Sequence, residues 1–427
     1  MPGPLANVFF ERAKGCDMDV FISFLLYMGR RKRRSLTPRN LIIPKLSPGQ
    51  RIRTLSVQVD SWERIQELVS GWADALFPLE KLEIDTNVEY PAPQPTVFVG
   101  EALKSPSSTG LAIPGLYNIL APNLTVLNLA DSSLMPCSVM ALFDFLDTSP
   151  SLEDVEISTR TTCDFPPPHR KVTLPHVRRI ALDTGNTSQV ASQLICPSVT
   201  TTRLADAFPD DNDTFPPALR SLLAQYSVES IDKVLVHVSD RVGAQRCSLQ
   251  FHAPSGTTFW YTCQTDDPSG DIWSFPLLLD ETVSALQALP LNQVVALAID
   301  IPAPSQFVGD PDFNQIRTKL AEVLEKCSIL QEVVLESYGP SCFPDFSREK
   351  TPPIRTLIIK HPEGVSWEEL VENITGVARV RHTKGKPLDK VEIFTAEGHP
   401  EIEQLKSLVQ EVMYREIGSW GKSRGIP

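Results

Sequence analysis

The chain of 427 residues is 42% apolar and 22% charged, which is typical of a globular protein and excludes a fibrous or largely disordered one. Its net charge of −12 at pH 7 disfavours nonspecific binding to nucleic acid or to an anionic membrane, because both attract basic surfaces. The eight cysteines are scattered, with no Cys-x-x-Cys pair and no zinc-ligand spacing with histidine, so we expect reduced thiols.

Residues 1–50 are predicted to form an N-terminal cap with a first strand and a basic loop. The apolar run at residues 20–28 is about half of the ~20 residues that a membrane-spanning helix needs. The cluster RRKRR begins at Arg30 and ends at Arg34, and it is typical either of a nuclear import signal or, more simply, of a solvated loop. We expect a cytoplasmic protein, with nuclear localisation as the alternative that this cluster leaves open.

A short apolar motif then recurs along residues 51–398. Each copy has apolar residues at positions p, p+3 and p+5, as in LTVLNL, where they are Leu124, Leu127 and Leu129. Positions p+3 and p+5 fall on one side of a short strand, because side chains alternate along a strand. Most copies lie 22 to 36 residues apart, which is the range of leucine-rich repeats with longer exceptions. The copies begin at Ile52, Leu79, Leu124, Leu152, Val177, Ile231, Val294, Leu330, Ile354 and Leu388, with a weaker copy at Val199.

Helical patterns of period 3.6 alternate with these strands and so indicate an α/β fold. They cover residues 60–76, 138–146, 312–327 and 365–374, the last of which opens on a capping box formed by Ser366 and Glu369. Residues 399–427 are predicted to form a C-terminal capping helix and tail. That helix would place Ile402, Leu405, Val409, Val412 and Met413 on one face.

Residues 247–263 depart from the repeat. Apolar residues alternate on both sides of the turn Pro254-Ser255-Gly256, which predicts a β-hairpin. The simpler interpretation is an insertion that widens the sheet or covers its edge, and the alternative is a dedicated binding element.

Several segments resemble the leucine-rich-repeat region of F-box proteins from mushroom-forming fungi (Agaricomycetes). They are ERAKGCDMDVFISF, RIRTLSVQVDSWERI, LPHVRRIAL, APNLTVLNLADSSL and LEKCSILQEVVLES, and the resemblance extends from about Glu11 onward. It implies an irregular leucine-rich-repeat solenoid, a horseshoe with parallel strands on the concave face and helices outside.

In that family an N-terminal F-box binds a Skp1-type adaptor and thereby connects the repeats to a cullin ubiquitin ligase. Only some ten residues precede the first repeat-like segment here, so we expect the F-box to be missing from this chain. A Skp1-type adaptor is therefore expected as a partner only if an F-box lies upstream.

The sequence contains no motif of a familiar enzyme class. There is no Gly-rich phosphate loop, no His-Glu-x-x-His and no Gly-x-Ser-x-Gly, and the seven histidines are dispersed. The acidic loop DAFPDDNDTF, residues 206–215, lacks the glycine and the terminal glutamate of a calcium-binding EF-hand loop. We expect a noncatalytic protein without cofactor or metal.

In a leucine-rich-repeat strand, positions p+2, p+4 and p+6 point away from the core onto the concave face. The residues expected there to bind a partner are Lys81, Glu83, Asp85, Asn128, Asp154, Glu156, Arg179, Asp183, Glu332 and Glu336. The stretch around Glu83, Asp154 and Asp183 is net acidic, which favours a basic protein segment as the ligand, the alternative being an ordinary solvated sheet face.

The expected function is noncatalytic protein–protein recognition, derived from the substrate-recognition arm of an SCF-type ubiquitin ligase. The alternative is a ligase-independent scaffold or competitor binding protein. The identity of the protein target does not follow from the sequence.

Overall fold

The computed structural model describes most of the repeat region. The described residues are 16–23, 51–58, 79–85, 123–130, 139–159, 170–184, 187–207, 215–226, 230–241, 244–265, 275–301, 311–336, 346, 348, 350–361, 366–395 and 403–417. The predicted helix at residues 60–76, the basic cluster from Arg30 to Arg34, and residues 208–214 of the acidic loop lie outside them. The chain divides into two compact units, Met1–Asp206 and Ala207–Pro427. The predicted boundaries at residues 50 and 398 stay predictions.

The first unit is built on a parallel sheet. In chain order its strands are β1 (Asp17–Ser23), β2 (Arg51–Gln58), β3 (Lys81–Asp85), β4 (Val126–Ala130), β5 (Asp154–Thr159), β6 (Val172–Thr173), β7 (Arg179–Thr184), β8 (Leu194–Ile195) and β9 (Thr201–Ala207), with helices α1 (Val139–Asp147) and α2 (Thr187–Ala191). Seven of these strands pair in the order β1-β2-β3-β4-β5-β7-β9, while β6 and β8 form a separate two-stranded parallel sheet.

The second unit has a mixed sheet. Its elements are α3 (Phe215–Gln225), β10 (Lys233–Arg241), β11 (Ala244–His252), β12 (Thr258–Thr265), α4 (Phe275–Gln287), a 3₁₀ turn (Leu291–Gln293), β13 (Ala296–Asp300), α5 (Pro311–Lys326), β14 (Glu332–Glu336), β15 (Thr356–Lys360), α6 (Trp367–Thr383), β16 (Lys390–Thr395), α7 (Glu403–Lys406) and β17 (Glu411–Glu416). The strand order is β12-β11-β10-β13-β14-β15-β16-β17. Pairing is antiparallel from β12 to β10 and parallel from β10 onward.

The apolar motif forms the core of both units. Leu124 and Leu127 are fully buried and Leu129 is 1% exposed, and the described p, p+3 and p+5 residues of the other copies are buried in the same way. The weak copy at Val199 places Thr202 at p+3, where the threonine is also fully buried. Each of the eleven predicted copies forms a strand, which confirms the predicted strand repeat, while the side chain of Ile84 at p+5 of the copy at Leu79 lies outside the described set.

Backbone hydrogen bonds at position p+1 fix the register from strand to strand. In the first unit the N–H of Glu80 donates to the carbonyl of Arg53 at 2.8 Å, and the N–H of Thr125 donates to the carbonyl of Glu80 at 2.7 Å. The same bond recurs within each unit, with the N–H of each p+1 residue donating to the carbonyl of the p+1 residue in the preceding copy of that unit. The later p+1 residues of the first unit are Glu153, Arg178 and Thr200, and those of the second unit are Asp232, Val295, Gln331, Arg355 and Asp389. As a result, p+2 faces p+2 at each of these pairings.

The hairpin predicted at residues 247–263 is confirmed. Strands β11 and β12 pair from His252 with Thr258 to Gln245 with Thr265, and Gly256 in the turn has a φ of +86°, which glycine adopts without strain. Because β11 also pairs along the whole of β10, the hairpin widens the sheet of the second unit. Phe251 and Phe259 bury the hairpin's inner face, with ring centroids 6.3 Å apart.

The prediction of one long C-terminal helix is wrong. The helix α7 is a single turn, and Glu411–Glu416 forms strand β17 parallel to β16. Val409, Val412 and Tyr414 fit positions p, p+3 and p+5 of a further copy of the motif, with Glu411 in register with Lys390. The exposed backbone groups of β16 favour this strand, since an unpaired sheet edge needs hydrogen-bond partners.

The helices predicted at residues 138–146, 312–327 and 365–374 correspond to α1, α5 and α6. Ser366 caps α6 as expected, since its Oγ accepts a 3.1 Å hydrogen bond from the N–H of Glu369. The helix continues to Thr383, beyond the predicted residue 374. Across the described residues, no helix is both long and apolar enough to cross a membrane.

Arg381 joins the end of α6 to the segment that enters β15. Its guanidinium is buried, with the residue 3% exposed, and it donates to the carbonyls of Pro352 at 3.0 Å, Ile354 at 3.3 Å and Lys386 at 3.1 Å. Burial lowers the pKa of Arg381, but the three carbonyls solvate the cation. One side chain thus supplies the donors for three carbonyl groups.

We expect Arg381→Met to lower the free energy of unfolding by about 2–3 kcal/mol, because three carbonyls lose a charged donor. Arg381→Lys should recover only part of this, since an ammonium group does not reproduce the planar fork of donors. Urea unfolding followed by circular dichroism measures the effect. Arg379→Met, at an exposed position of the same helix, is the matched control, and equal urea midpoints for the two methionine variants would contradict the prediction.

Candidate functional site

The sheet of each unit has one face that carries polar, partly exposed side chains. Parallel sheets are usually covered by helices on both faces, and their strands are then apolar throughout. Here burial alternates instead: along β7 every second residue is buried, and in β13 and β15 the residues between the buried ones are half-buried. We call the side that bears positions p+2, p+4 and p+6 the open face.

On the open face of the first unit, residues of equivalent position form rows across the strands. The first row, at p+2, is Asp19, Thr54, Lys81, Val126, Asp154, Arg179 and Thr201. The second row, at p+4, is Phe21, Ser56, Glu83, Asn128, Glu156, Ala181 and Arg203. Neighbours within a row are about 4.8 Å apart, the spacing of paired strands.

Arg179 neutralises much of the predicted acidic patch. Its Nε lies 2.9 Å from Asp154 Oδ1, and its Nη2 lies 2.6 Å from Glu156 Oε2. Lys81 Nζ similarly lies 2.8 Å from Glu83 Oε1. These pairs are partly exposed, so each contributes at most about 1 kcal/mol to stability. Their larger effect is on the charge that a partner would meet.

The net charge of this face is smaller than the sequence hypothesis assumed. Among the described side chains of the open face in β3 to β9, Lys81, Arg179 and Arg203 stand against Glu83, Asp154, Glu156 and Asp183, which gives 3 − 4 = −1. Parallel register places Arg179 on β7 beside the carboxylates of β5, whereas Arg203 on β9 lies in register with Ala181. The face is therefore a mosaic of both signs, with a small acidic excess.

Asn128 lies in the centre of the second row, between Glu83 and Glu156. Its Oδ1 is buried, and it accepts no hydrogen bond from any group in the described part of the chain. An unsatisfied buried acceptor costs about 1–3 kcal/mol. Because Oδ1 itself is buried, a donor from outside would satisfy it only after neighbouring side chains of the second row move aside.

The structure brings most of the predicted site residues together. Lys81, Glu83, Asn128, Asp154, Glu156, Arg179 and Asp183 share the open face of the first unit, where Ser158 Oγ lies 3.4 Å from Asp183 Oδ2. Asp85 belongs to the same face by its register with Ala130, although its side chain lies outside the described set. Glu332 and Glu336 lie on β14 in the second unit and do not belong to this group.

The open face of the second unit combines ion pairs with an apolar centre. Glu336 Oε1 lies 2.8 Å from Lys360 Nζ, and Asp300 Oδ2 lies 2.6 Å from His237 Nδ1. On the same face Val334 and Phe394 are buried, with partly buried Ala298 and Ile358 packed against them. All four occupy position p+4 or p+6 of their copies, so the motif alone does not separate this apolar centre from the polar residues beside it.

Phe21 is an open-face residue that sequence reasoning missed. It is 71% exposed and pairs in register with Ser56, which places it at the end of the second row. The signal was present in the sequence, because DMDVFI, residues 17–22, fits the motif with Val20 and Ile22 at p+3 and p+5. This copy of the motif is hard to recognise because Asp17 occupies position p, where an apolar residue is expected.

Buried thiols do not supply a nucleophile to either sheet. Burial raises the pKa of Cys196, Cys247 and Cys327 to about 12, so these groups are protonated at neutral pH. Cys247 also accepts a hydrogen bond from Thr282 Oγ1 at 3.0 Å. They act as small apolar residues of the core.

Glu392 forms a buried ionic cluster on the open face of the second unit. Its side chain is 8% exposed, with Lys390 Nζ 2.8 Å from Oε2 and Arg415 Nε donating to Oε1. Burial by itself raises the pKa of this carboxyl, but the hydrogen bonds from Lys390 and Arg415 outweigh it, and the pKa of Glu392 lies below the ordinary glutamate value. The cluster links β17 to β16 through side chains as well as through the backbone.

No protein-family model matches the chain, and a search of curated proteins finds no significant match.

The lowered pKa of Glu392 predicts a pH-dependent contribution to stability. Because its pKa is lower in the folded state, the ionised carboxylate stabilises the fold above the unfolded-state pKa, and this stabilisation is lost as pH falls through the folded-state pKa. We expect wild type to exceed Glu392→Gln in urea midpoint by a constant margin above about pH 5, with the margin shrinking below about pH 4. A margin that is the same at pH 3.5 and pH 7 would contradict this assignment.

Proposed function

We propose that the chain is a leucine-rich-repeat-like solenoid that recognises another protein through the open face of its sheets. The observation that carries this proposal is the register. Equivalent positions of the repeat lie side by side from strand to strand. The number of residues from one such position to the next nevertheless varies from 21, between Lys390 and Glu411, to 63, between Lys233 and Ala296. A repeat that keeps its inner strand constant while its outer connection varies is typical of a solenoid.

Two successive repeats of the first unit, one containing β6 and β7 and the next containing β8 and β9, support this interpretation. Arg179 pairs with Thr201 in the main sheet, and Val172 pairs with Leu194 in the small sheet. Both pairings have the same offset of 22 residues, so the two layers repeat together. A repeat that contains one strand of each sheet thus stacks on the next such repeat.

The composition of the open face supports recognition rather than catalysis. Its charged residues are spread along rows that cross five or more strands, and most are partly exposed and paired with one another. Extended surfaces of this kind fit an extended or folded protein segment, whereas enzymes concentrate their polar groups in a concave pocket.

The resemblance to F-box proteins favours the substrate-recognition arm of an SCF-type ubiquitin ligase as the biological setting. In that setting the open face binds the target, and a Skp1-type adaptor binds an F-box. Recovery of a Skp1-type adaptor with the full-length native gene product would support the ligase connection. Its absence, with target binding retained, would leave a scaffold or competitor role.

The experiment that tests recognition by the open face is a pair of arginine substitutions in the same repeat. Ala181→Arg adds a long cation to the second row between Glu156 and Arg203, while Gln189→Arg adds one to the exposed side of α2. We expect co-purification with quantitative mass spectrometry to show at least a tenfold loss of the main bound proteins for Ala181→Arg only, because a bulky residue disrupts a packed interface.

Both variants should retain the circular dichroism spectrum and the urea midpoint of wild type, since both positions are partly or fully exposed. Equal recovery of the same bound proteins with Ala181→Arg and with Gln189→Arg would reject the open face of the first unit as the recognition surface.

A further inference from the structure

Two features of the second row of the first unit point to one kind of partner. The row begins at Phe21 on β1 and continues through Ser56, Glu83, Asn128 and Glu156 on the next four strands. It therefore presents an exposed aromatic ring at one end and a group of oxygen acceptors farther along.

Phe21 supplies an apolar anchor. At 71% exposure, it is the most exposed large apolar residue in the described part of the chain, followed by Ile195 and Ile329 at 41% each. A single exposed apolar residue is common on protein surfaces, so exposure alone does not define a site. Its position in register with Ser56, at the end of a row of polar groups, is what gives it a role.

Asn128 and its neighbours supply an acceptor for a donor from the partner. The unsatisfied Oδ1 of Asn128 lies between the carboxylates of Glu83 and Glu156, which are 33% and 37% exposed. Lys81 and Arg179 reach these carboxylates from the first row, so they approach from one side only. A cationic donor that displaced the flanking glutamates would satisfy the buried Oδ1 and pair with both carboxylates.

The separation of the two features sets the spacing in the partner. From β1 to β4 there are three steps between paired strands, which amounts to about 14 Å. An extended peptide advances about 3.3 Å per residue, so about four residues cover this distance. The net charge of −12 further favours the approach of a basic segment.

We propose that this row binds a protein segment that carries an apolar side chain and, about four residues away along an extended backbone, a lysine or arginine. The apolar side chain packs on Phe21, and the cation binds at Glu83, Asn128 and Glu156. This proposal rests on the recognition function proposed above and specifies the chemistry of its ligand.

The test uses the full chain and a display library of random 12-residue peptides. We expect enriched peptides to share an apolar residue and a lysine or arginine about four positions apart. Synthesised as fluorescent peptides, they should bind Phe21→Ser and Glu83→Gln about tenfold more weakly than wild type, as measured by fluorescence anisotropy.

Two matched substitutions control for general effects. Ile195→Ser removes an exposed apolar residue from β8, and Glu153→Gln removes an exposed carboxylate at a p+1 position, so neither changes the second row. Both should bind the peptides as wild type does. A charge exchange gives a sharper readout: Glu83→Lys should lose the basic peptide and regain binding when the peptide's cation is replaced by glutamate.

The experiments distinguish the two-anchor ligand from the more general proposal that the open face recognises a protein. Peptides that are lost with Ala181→Arg but bind equally to Phe21→Ser, Glu83→Gln and their controls would overturn the two-anchor ligand and leave recognition by the open face intact. Binding of both peptides and co-purified proteins that survives Ala181→Arg would reject both proposals. Failure of the library to yield any peptide enriched over a blank support would also count against this ligand.

Discussion

The backbone hydrogen bond between successive p+1 residues is the interaction on which the rest of both units depends. It uses only main-chain groups, so arginine, glutamate and threonine occupy the position equally well, as in Arg53, Glu80 and Thr125. By fixing p+2 opposite p+2, it stacks the leucines and isoleucines of each copy into a continuous core. A shift of one residue would turn every apolar side chain to the other face, so the buried leucines in turn hold this register in place.

The same constraint explains how much of the fold the sequence predicts. Spacing p, p+3, p+5 identifies the strands and their buried face because p+3 and p+5, being two residues apart, lie on the same side of a strand, as Val155 and Ile157 show. Pairing register follows directly from alignment of the copies. The helix prediction for the C-terminal segment was wrong because Leu405, Val409 and Met413 also match helical spacing. Over so short a range, only the neighbouring edge of β16 decides between the helical period of 3.6 and the strand period of 2.

The candidate site was less predictable than the core. Membership of the open face follows from position alone, and the residues predicted in the first unit do lie on it. Charge does not follow in the same way, because Arg179 reaches two carboxylates of the adjacent strand and cancels them. Nor does the sequence reveal that Asn128 Oδ1 has no donor among the described groups, since this depends on which way each neighbouring side chain turns.

Along strands such as β7, β13 and β15, buried residues alternate with half-buried or exposed ones. The buried positions p+3 and p+5 hold the sheet together, and the positions between them form the surface. Substitutions at p+2 and p+4 alter what the surface presents, while the residues that hold the strands together are untouched. Lineages that carry such a repeat can therefore explore new ligands with little loss of folding, and degenerate sequence is the expected record of that freedom. The irregular sequence of the open face and the regularity of the register are, in this light, two results of a single architecture.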